Sequence, residues 1–236
     1  MPVAASNRLY LEQRDGGGWW FEPWSSRRVV AGLTDRYIEP LQLLSGLRAS
    51  ETTVEAEQVH GGSIAIVGQL RDSHYVVPGC DALLTEIPGV ALLIRTADCL
   101  PMIITDLSRG AVGIAHAGWR GLAAQLPVRV VAAFRHAYHS RADELHVAIG
   151  PSIRACCYEV GPEFTASFGR FVHEQDGRRT CDLIGVAVDQ LRESGIRPDR
   201  IVDSGRCTAC GPQHWFSVRR EGDATGRLTS FVMLRR

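Results

Sequence analysis

The sequence predicts an α/β protein organised around a mixed β-sheet, and three observations carry that class. Short runs rich in Val and Ile, broken by Pro-Gly and Ser-Arg-Gly turns, read as strands buried on both faces or nearly so. A 3.6-residue apolar rhythm between Gly121 and Tyr138 reads as an amphipathic helix. The strands are joined both by hairpin-like turns and by helical segments, which a mixed sheet accommodates.

Taken in order, Gly16-Gly17-Gly18 marks a hairpin or loose turn, and Trp19-Trp20-Phe21 behind it are packing residues. Val29 to Leu33 is a short strand. Pro40 to Leu47 is read as a brief helix, because Leu41, Leu44 and Leu47 fall at helical spacing. Val54 to His60 is extended and closes at Gln58-Val59-His60 with Gly61-Gly62 behind it. Ile64 to Val67 and His74 to Val77 are further strands, and Pro78-Gly79 leads into the central stretch.

That stretch, Cys80 to Gly121, organises the rest. Val90 to Ile94 and Pro101 to Thr105 flank Ala97-Asp98-Cys99, and Ala111 to Ala115 runs into His116-Ala117-Gly118-Trp119-Arg120-Gly121. The helix that follows carries Leu122, Leu126, Val130, Ala133, Phe134 and Ala137 on one face, and Pro127 kinks or restarts it. Leu145 to Ile149 is a strand. Pro162 opens a short helix to about Phe168, and Asp182 is the N-cap of a helix from Leu183 to Ser194 that Gly195 ends. Arg200 to Val202, Phe216 to Arg219 and Leu228 to Met233 are the closing strands. Residues 1 to 236 show no repeat and no long linker, so a single domain is expected.

Bulk properties narrow the function. Arg supplies all 26 basic residues against 26 acidic ones, so no global field draws nucleic acid or an acidic membrane. The lack of any Lys excludes a Schiff-base or lysine-nucleophile mechanism. Seven Cys is an odd count and argues for thiols with individual tasks over a disulfide framework. No leader pattern opens the chain and no apolar run approaches bilayer length, so a cytoplasmic protein without membrane partners is the expectation. A monomer and a homodimer both remain open.

His60, Cys99 and His116 each stand at or just past the end of a strand-like run. Two imidazoles and a thiolate suit zinc and leave a fourth position for water. Their separations of 39 and 17 residues match no short metal motif. A Cys–His nucleophilic pair, with Cys99 activated by either histidine and Asp98 orienting it or serving as base, is the competing reading. Cys207-Thr-Ala-Cys210 has the form of a redox or zinc CxxC. Structural zinc would need Cys156-Cys157 as its second pair, and adjacent cysteines in a strand point to opposite faces. Buried or oxidisable thiols are therefore the simpler reading. Arginines near glycines, among them Arg120, Arg206 and Arg227, suit phosphate or carboxylate. No GxGxxG in the required context and no GxxxxGK[ST] motif exists.

These residues carry a specific resemblance. Gln58-Val59-His60-Gly61, Asp81-Ala82-Leu83-Leu84-Thr85, Thr96-Ala97-Asp98-Cys99, the HAGWRG run from His116, Ile149-Gly150-Pro151-Ser152-Ile153, Cys156-Cys157-Tyr158-Glu159-Val160, Cys207-Thr208 and Arg219-Arg220 fall in the order seen in YfiH-like proteins. That family was historically called multicopper polyphenol oxidases or laccase-domain proteins. It was later described as purine nucleoside phosphorylases, with a bacterial branch called peptidoglycan editing factor. The resemblance spans about residues 54 to 232.

It implies two layered mixed sheets with helices outside, and zinc held by His60, Cys99 and His116. It also implies phosphorolysis of adenosine, guanosine, inosine and methylthioadenosine, with deamination of adenosine to inosine. Within that reading Asp98 moves a proton beside Cys99, Arg120 holds phosphate, and Arg206 and Arg227 are further phosphate candidates. Copper is implied only by the older oxidase label, and the chain lacks the dense histidine pattern and axial Met of an electron-transfer site. The family's Arg-x-Gly-Gly-x-Ser loop is shortened here to the Leu33 to Gly46 region, with Thr34 and Arg36 as its remnant.

Overall fold

In a computed structural model, residues 9–14, 18–22, 24, 28–38, 52–69 and 72–236 are described. The helix expected at Pro40 to Leu47 lies outside them. The first strands are β1 (Tyr10–Gln13), β2 (Trp19–Glu22), β3 (Val29–Leu33), β4 (Thr52–Ala56) and β5 (Ile64–Ile66). The central stretch supplies β6 (His74–Val77), β7 (Ala82–Thr85), β8 (Val90–Thr96), β9 (Leu100–Asp106) and β10 (Ala111–Ala117). Helices α1 (Trp119–Ala123) and α2 (Leu126–Tyr138) follow, then β11 (His146–Ile149) and α3 (Phe164–Phe168). The chain closes with β12 (Val172–Gln175), β13 (Arg178–Cys181), α4 (Leu183–Glu193), β14 (Ile201–Asp203), α5 (Val218–Glu221) and β15 (Leu228–Leu234).

Two large sheets form. The first runs β1-β2-β3-β15-β8-β4-β6 and the second β14-β11-β9-β10-β7-β5. Both are mixed: β4 lies parallel to β6 and β8, β5 to β7, and β11 to β14, while the other pairs are antiparallel. The period of two divides each central strand between layers. Ile103, Val112 and Ile114 of the second sheet pack against Leu92, Ile94 and Val232 of the first, filling the space between sheets. Leu100, Met102, Ile104 and Ala115 face the other way, onto Leu126, Val130 and Phe134 of α2 and Leu183 and Leu191 of α4. Every residue of β9, β10 and β15 is buried, which is why these strands read as largely apolar runs without a polar alternation.

Local chemistry sets the helix ends. Pro127 sits in the first turn of α2, where its missing N–H costs nothing, so the helical pattern is restarted instead of kinked. Asp182 caps α4 by accepting from the Gly185 N–H at 3.0 Å, as the sequence predicts.

Two expectations are corrected. Phe216 to Arg219 is not a strand: Ser217 accepts from the Arg220 N–H at 3.2 Å and nucleates α5, which Gly222 at φ 81° ends. Cys156-Cys157 lies in a turn, not a strand. The Cys157 and Tyr158 N–H groups both bond the Arg154 carbonyl, and this tight turn lets adjacent sulfurs face one way.

Candidate metal centre and cavity

The ladder between β7, β10 and β9 builds the centre. Pro101 pairs with His116 and Leu100 with Ala117, so Cys99 emerges beside Gly118. A Cβ on Gly118 would stand 3.0 Å from the Cys99 sulfur and 3.7 Å from the His60 ring, so glycine here makes room for the ligands. His60 arrives from the loop after β4. Gln58 fixes that loop by accepting from the Arg95 N–H at 2.8 Å and donating to the Arg95 carbonyl at 2.7 Å. Gln58, His60 and Asp98 have φ of 63°, 60° and 91°, three of the six non-glycine residues with positive φ among those described. Such backbone costs about 1–3 kcal/mol per residue and persists where the surroundings enforce it.

The donor atoms of His60, Cys99 and His116 lie within 4.8 Å of one another, with the two imidazoles edge to face. Asp81, fully buried, organises them. Its Oδ1 lies 2.9 Å from His116 Nδ1 and accepts from the His60 N–H, while Oδ2 accepts from the Gly61 N–H at 2.6 Å. Burial alone would raise the Asp81 pKa, and the bonds from His116 and these N–H groups outweigh it and lower it. Burial likewise works against ionisation of Cys99, but the imidazoles of His116 and His60 bring its thiol down to about 7. For His116 burial opposes the charge, and Asp81 and Cys99 raise it to about 9. The two histidines thus favour the thiolate form of Cys99, the form that binds metal. Two imidazole nitrogens and one thiolate this close, with one imidazole fixed through Nδ1 by a carboxylate, form a donor set that fits Zn²⁺ and keeps a side open.

That open side faces a cavity of about 800 Å³. Trp119 and Tyr158 contribute aromatic walls, and Trp119 leans on Phe164 at a 5.2 Å centroid distance. Arg120, Arg219 and Arg227 stand around it. The Arg120 guanidinium lies 4.5 Å over Trp119, Arg219 lies 5.0 Å over Tyr158 and donates to the Glu159 carbonyl, and Arg227 donates to the Thr225 and Gly226 carbonyls. Asp98 also lines the cavity, with both oxygens engaged: Oδ1 accepts from the Thr208 hydroxyl at 2.6 Å and Oδ2 from the Arg219 N–H at 2.8 Å.

Of the residues named from sequence, His60, Cys99, His116, Asp98, Arg120 and Arg227 come together. Arg206 does not. Its guanidinium stacks 5.8 Å over Trp19, outside the cavity lining. Thr34 and Arg36 serve the scaffold: Thr34 exchanges hydrogen bonds with Thr229, and Arg36 pairs with Glu221 at 3.0 Å. Sequence reasoning gave no role to Asp81 or Thr208, and it marked Arg219 only as one of several arginines suited to phosphate or carboxylate. Asp81 had a signal, since a carboxylate opening the apolar run Ala82–Leu84 must be partnered when buried.

Two stacked mixed sheets with a His-Cys-His cluster in the wall of one cavity define an enzyme of YfiH-like fold. The chain belongs to the family described as multi-copper polyphenol oxidoreductase laccase, whose profile matches residues 38–235. It is 34% identical over 197 residues to the purine nucleoside phosphorylase YlmD of Geobacillus stearothermophilus, covering 77% of this chain and 72% of that one. It is 38% identical over 154 residues to a purine nucleoside phosphorylase of Aquifex aeolicus (65% and 71% covered), and 29% identical over 189 residues to the adenosine deaminase RL5 of an unknown prokaryotic organism (74% and 72%). The crystal structure of the Geobacillus YlmD superposes with a TM-score of 0.85 at 30% identity, covering 95% of this chain and 98% of that one.

Proposed function

We propose that this chain is a zinc-dependent purine nucleoside phosphorylase that also deaminates adenosine, taking adenosine, inosine, guanosine or methylthioadenosine with inorganic phosphate. The observation that carries the reading is the convergence of His60, Cys99 and His116 on a cavity that Arg120, Arg219 and Arg227 line together with the carboxylates Glu55, Glu57, Asp98 and Asp223, in a chain whose relatives bear phosphorylase and deaminase names. Zinc, when bound, supplies Lewis acidity at neutral pH without redox chemistry.

The chain's own residues do the rest. His60, Cys99 and His116 would hold the ion, and Asp81, bonded to His116 Nδ1, leaves Nε2 free for it. In phosphorolysis a phosphate oxygen bonds to C1′ as the C1′–N9 bond breaks, and the purine leaves with the electron pair. Arg120 and Arg227 hold the phosphate, joined by Arg219, because guanidinium forks match its oxygens. In deamination, water adds at C6 and ammonia departs. Trp119 and Tyr158 bound the purine plane. Asp98, with both oxygens committed to Thr208 and Arg219, acts as a positioning residue for Cys99 and for the Arg219 segment.

A copper reading draws on the same two-imidazole, one-thiolate set. A multicopper centre needs more imidazoles than the two gathered here among the described residues. Incubating metal-analysed protein with adenosine, with and without phosphate, tests the proposal. Adenine and ribose 1-phosphate formed only with phosphate support it, and inosine supports the deaminase. Unchanged turnover in Cys99→Ala overturns it, as does oxygen-dependent phenol oxidation at bound copper without nucleoside turnover.

A further inference from the structure

Outside this centre the molecule gathers a second set of metal-ligating atoms. The loop after β11 carries Cys156 and Cys157, and the loop after β14 carries Cys207 and Cys210. A bridge between Ser152 and Cys207 sets the loops side by side, with the Ser152 N–H bonded to the Arg206 carbonyl at 3.2 Å and the Thr208 N–H to the Ser152 carbonyl at 3.1 Å. The four sulfurs all lie within 4.8 Å of one another. Cys156 stands 3.7 Å from Cys157 and 3.6 Å from Cys210, and Cys157 stands 3.3 Å from Cys210.

These distances select among the things clustered thiols can be. A disulfide needs sulfurs about 2.05 Å apart. A tetrahedral zinc with Zn–S bonds of about 2.3 Å has sulfur–sulfur edges of about 3.8 Å. The separations of 3.3 to 3.7 Å sit close to that edge, and all four cysteines are free. Packing does not account for the cluster either. Cys80 and Cys181 are buried and serve as small apolar side chains, whereas Cys156 and Cys210 are exposed and Cys157 and Cys207 are half-buried.

We propose that Cys156, Cys157, Cys207 and Cys210 form a second metal site, a closed tetrathiolate that holds one Zn²⁺ and clamps the 152–160 loop to the 204–211 loop. Four protein ligands leave no open position, so this ion is structural. Binding releases the remaining thiol protons to solvent, with no change of oxidation state. Two residues link the clamp to the cavity. Thr208, between the two cysteines of the CxxC, donates to Asp98 next to Cys99, and Tyr158 follows Cys157 into the cavity wall.

The test is metal content of the full chain purified without chelator, followed by Co²⁺ substitution. Wild type is expected to hold two zinc equivalents. His116→Ala should lose one and retain a Co²⁺ spectrum with the strong sulfur charge-transfer and d–d bands of four-sulfur tetrahedral coordination. The double variant Cys207→Ser with Cys210→Ser should lose the other equivalent and those bands. Cys156→Ser, at an exposed turn position, repeats the measurement where the double variant fails to fold. Failure of the histidine centre alone would leave wild type at one equivalent that the cysteine variants remove. The proposal is overturned if zinc content is unchanged in both cysteine variants. It is also overturned if His116→Ala gives no four-sulfur spectrum, or if anaerobically purified protein carries these cysteines as disulfides.

Discussion

Asp81 Oδ1 lies 2.9 Å from His116 Nδ1, and the same carboxylate takes the backbone N–H groups of His60 and Gly61. One buried side chain thereby orients one imidazole directly and the other through its backbone. The ladder makes this possible: Ala82 pairs with Ala115, and the His116 N–H bonds the Asp81 carbonyl at 2.8 Å, so Asp81 and His116 are cross-strand neighbours. Replacing Asp81 by Asn removes the charge that stabilises these donors while keeping the shape. Outer-shell partners of this kind typically contribute about 10–100-fold in metal affinity or activity. Asp81→Asn should therefore lose zinc to a competing chelator at correspondingly lower chelator concentration. An unchanged competition curve would show that His60 and His116 are held by packing alone.

Thr208→Val removes the hydroxyl that donates to Asp98 at 2.6 Å while preserving volume. Both residues are buried, and an unsatisfied buried oxygen costs about 1–3 kcal/mol. For a chain of this size each kcal/mol shifts Tm by about 2–4 °C. The variant should melt several degrees lower and show reduced kcat, with the metal at the histidine centre retained. Thr208→Ser should restore kcat. Equal kcat in wild type and Thr208→Val would remove Asp98 from the positioning of this centre.

Much of this architecture is legible in the sequence because its strands are central and buried. Val90–Thr96, Leu100–Asp106 and Ala111–Ala117 announce themselves as apolar runs, and Asp182 and Pro127 mark helix starts. Spacing could not unite His60, Cys99 and His116, because sheet pairing between distant segments closes their separation. The hairpin of β12 and β13 went unread despite its Asp176-Gly177 turn, both residues at positive φ, since His173, Glu174, Arg178 and Arg179 offer no apolar alternation around it. The cysteine convergence was hidden for another reason. It depends on the turn at Arg154 to Tyr158, and the rule that adjacent side chains oppose each other holds in strands only.

The turn between β9 and β10 predicts how the scaffold responds to acid. Asp106 Oδ1 accepts from the Ser108 N–H and Arg109 N–H, each at 3.0 Å, and from the Ser108 hydroxyl at 2.7 Å. Burial opposes its ionisation, yet the donors of Arg109 and Ser108 outweigh it and hold the pKa below the ordinary 3.8. A carboxyl depressed on folding stabilises the protein fully above its unfolded pKa and loses that contribution as pH falls through the folded value. Stability should therefore decline below about pH 4 in wild type. In Asp106→Asn, Tm should be lower near neutrality and flatter on the acid side. Parallel acid limbs in the two proteins would assign the acid response to other carboxylates.

The arginines divide by what they already touch. Arg206 is set against Trp19, whereas Arg120 and Arg227 reach the cavity and meet a ring or carbonyls there. A guanidinium resting on a ring or a carbonyl keeps donors free for an incoming phosphate, and a charge-assisted hydrogen bond contributes about 1.5–3 kcal/mol. Arg120→Ala and Arg227→Ala should each raise the KM for phosphate by about 10–100-fold with zinc content unchanged. Arg206→Ala should leave it within about twofold, because a surface substitution remote from the cavity changes free energy by about 0.5 kcal/mol or less. Steady-state phosphorolysis at saturating nucleoside, with phosphate varied, measures all three. A larger effect at Arg206 than at Arg120 would place the phosphate on the far side of Trp19 and require a different path to C1′.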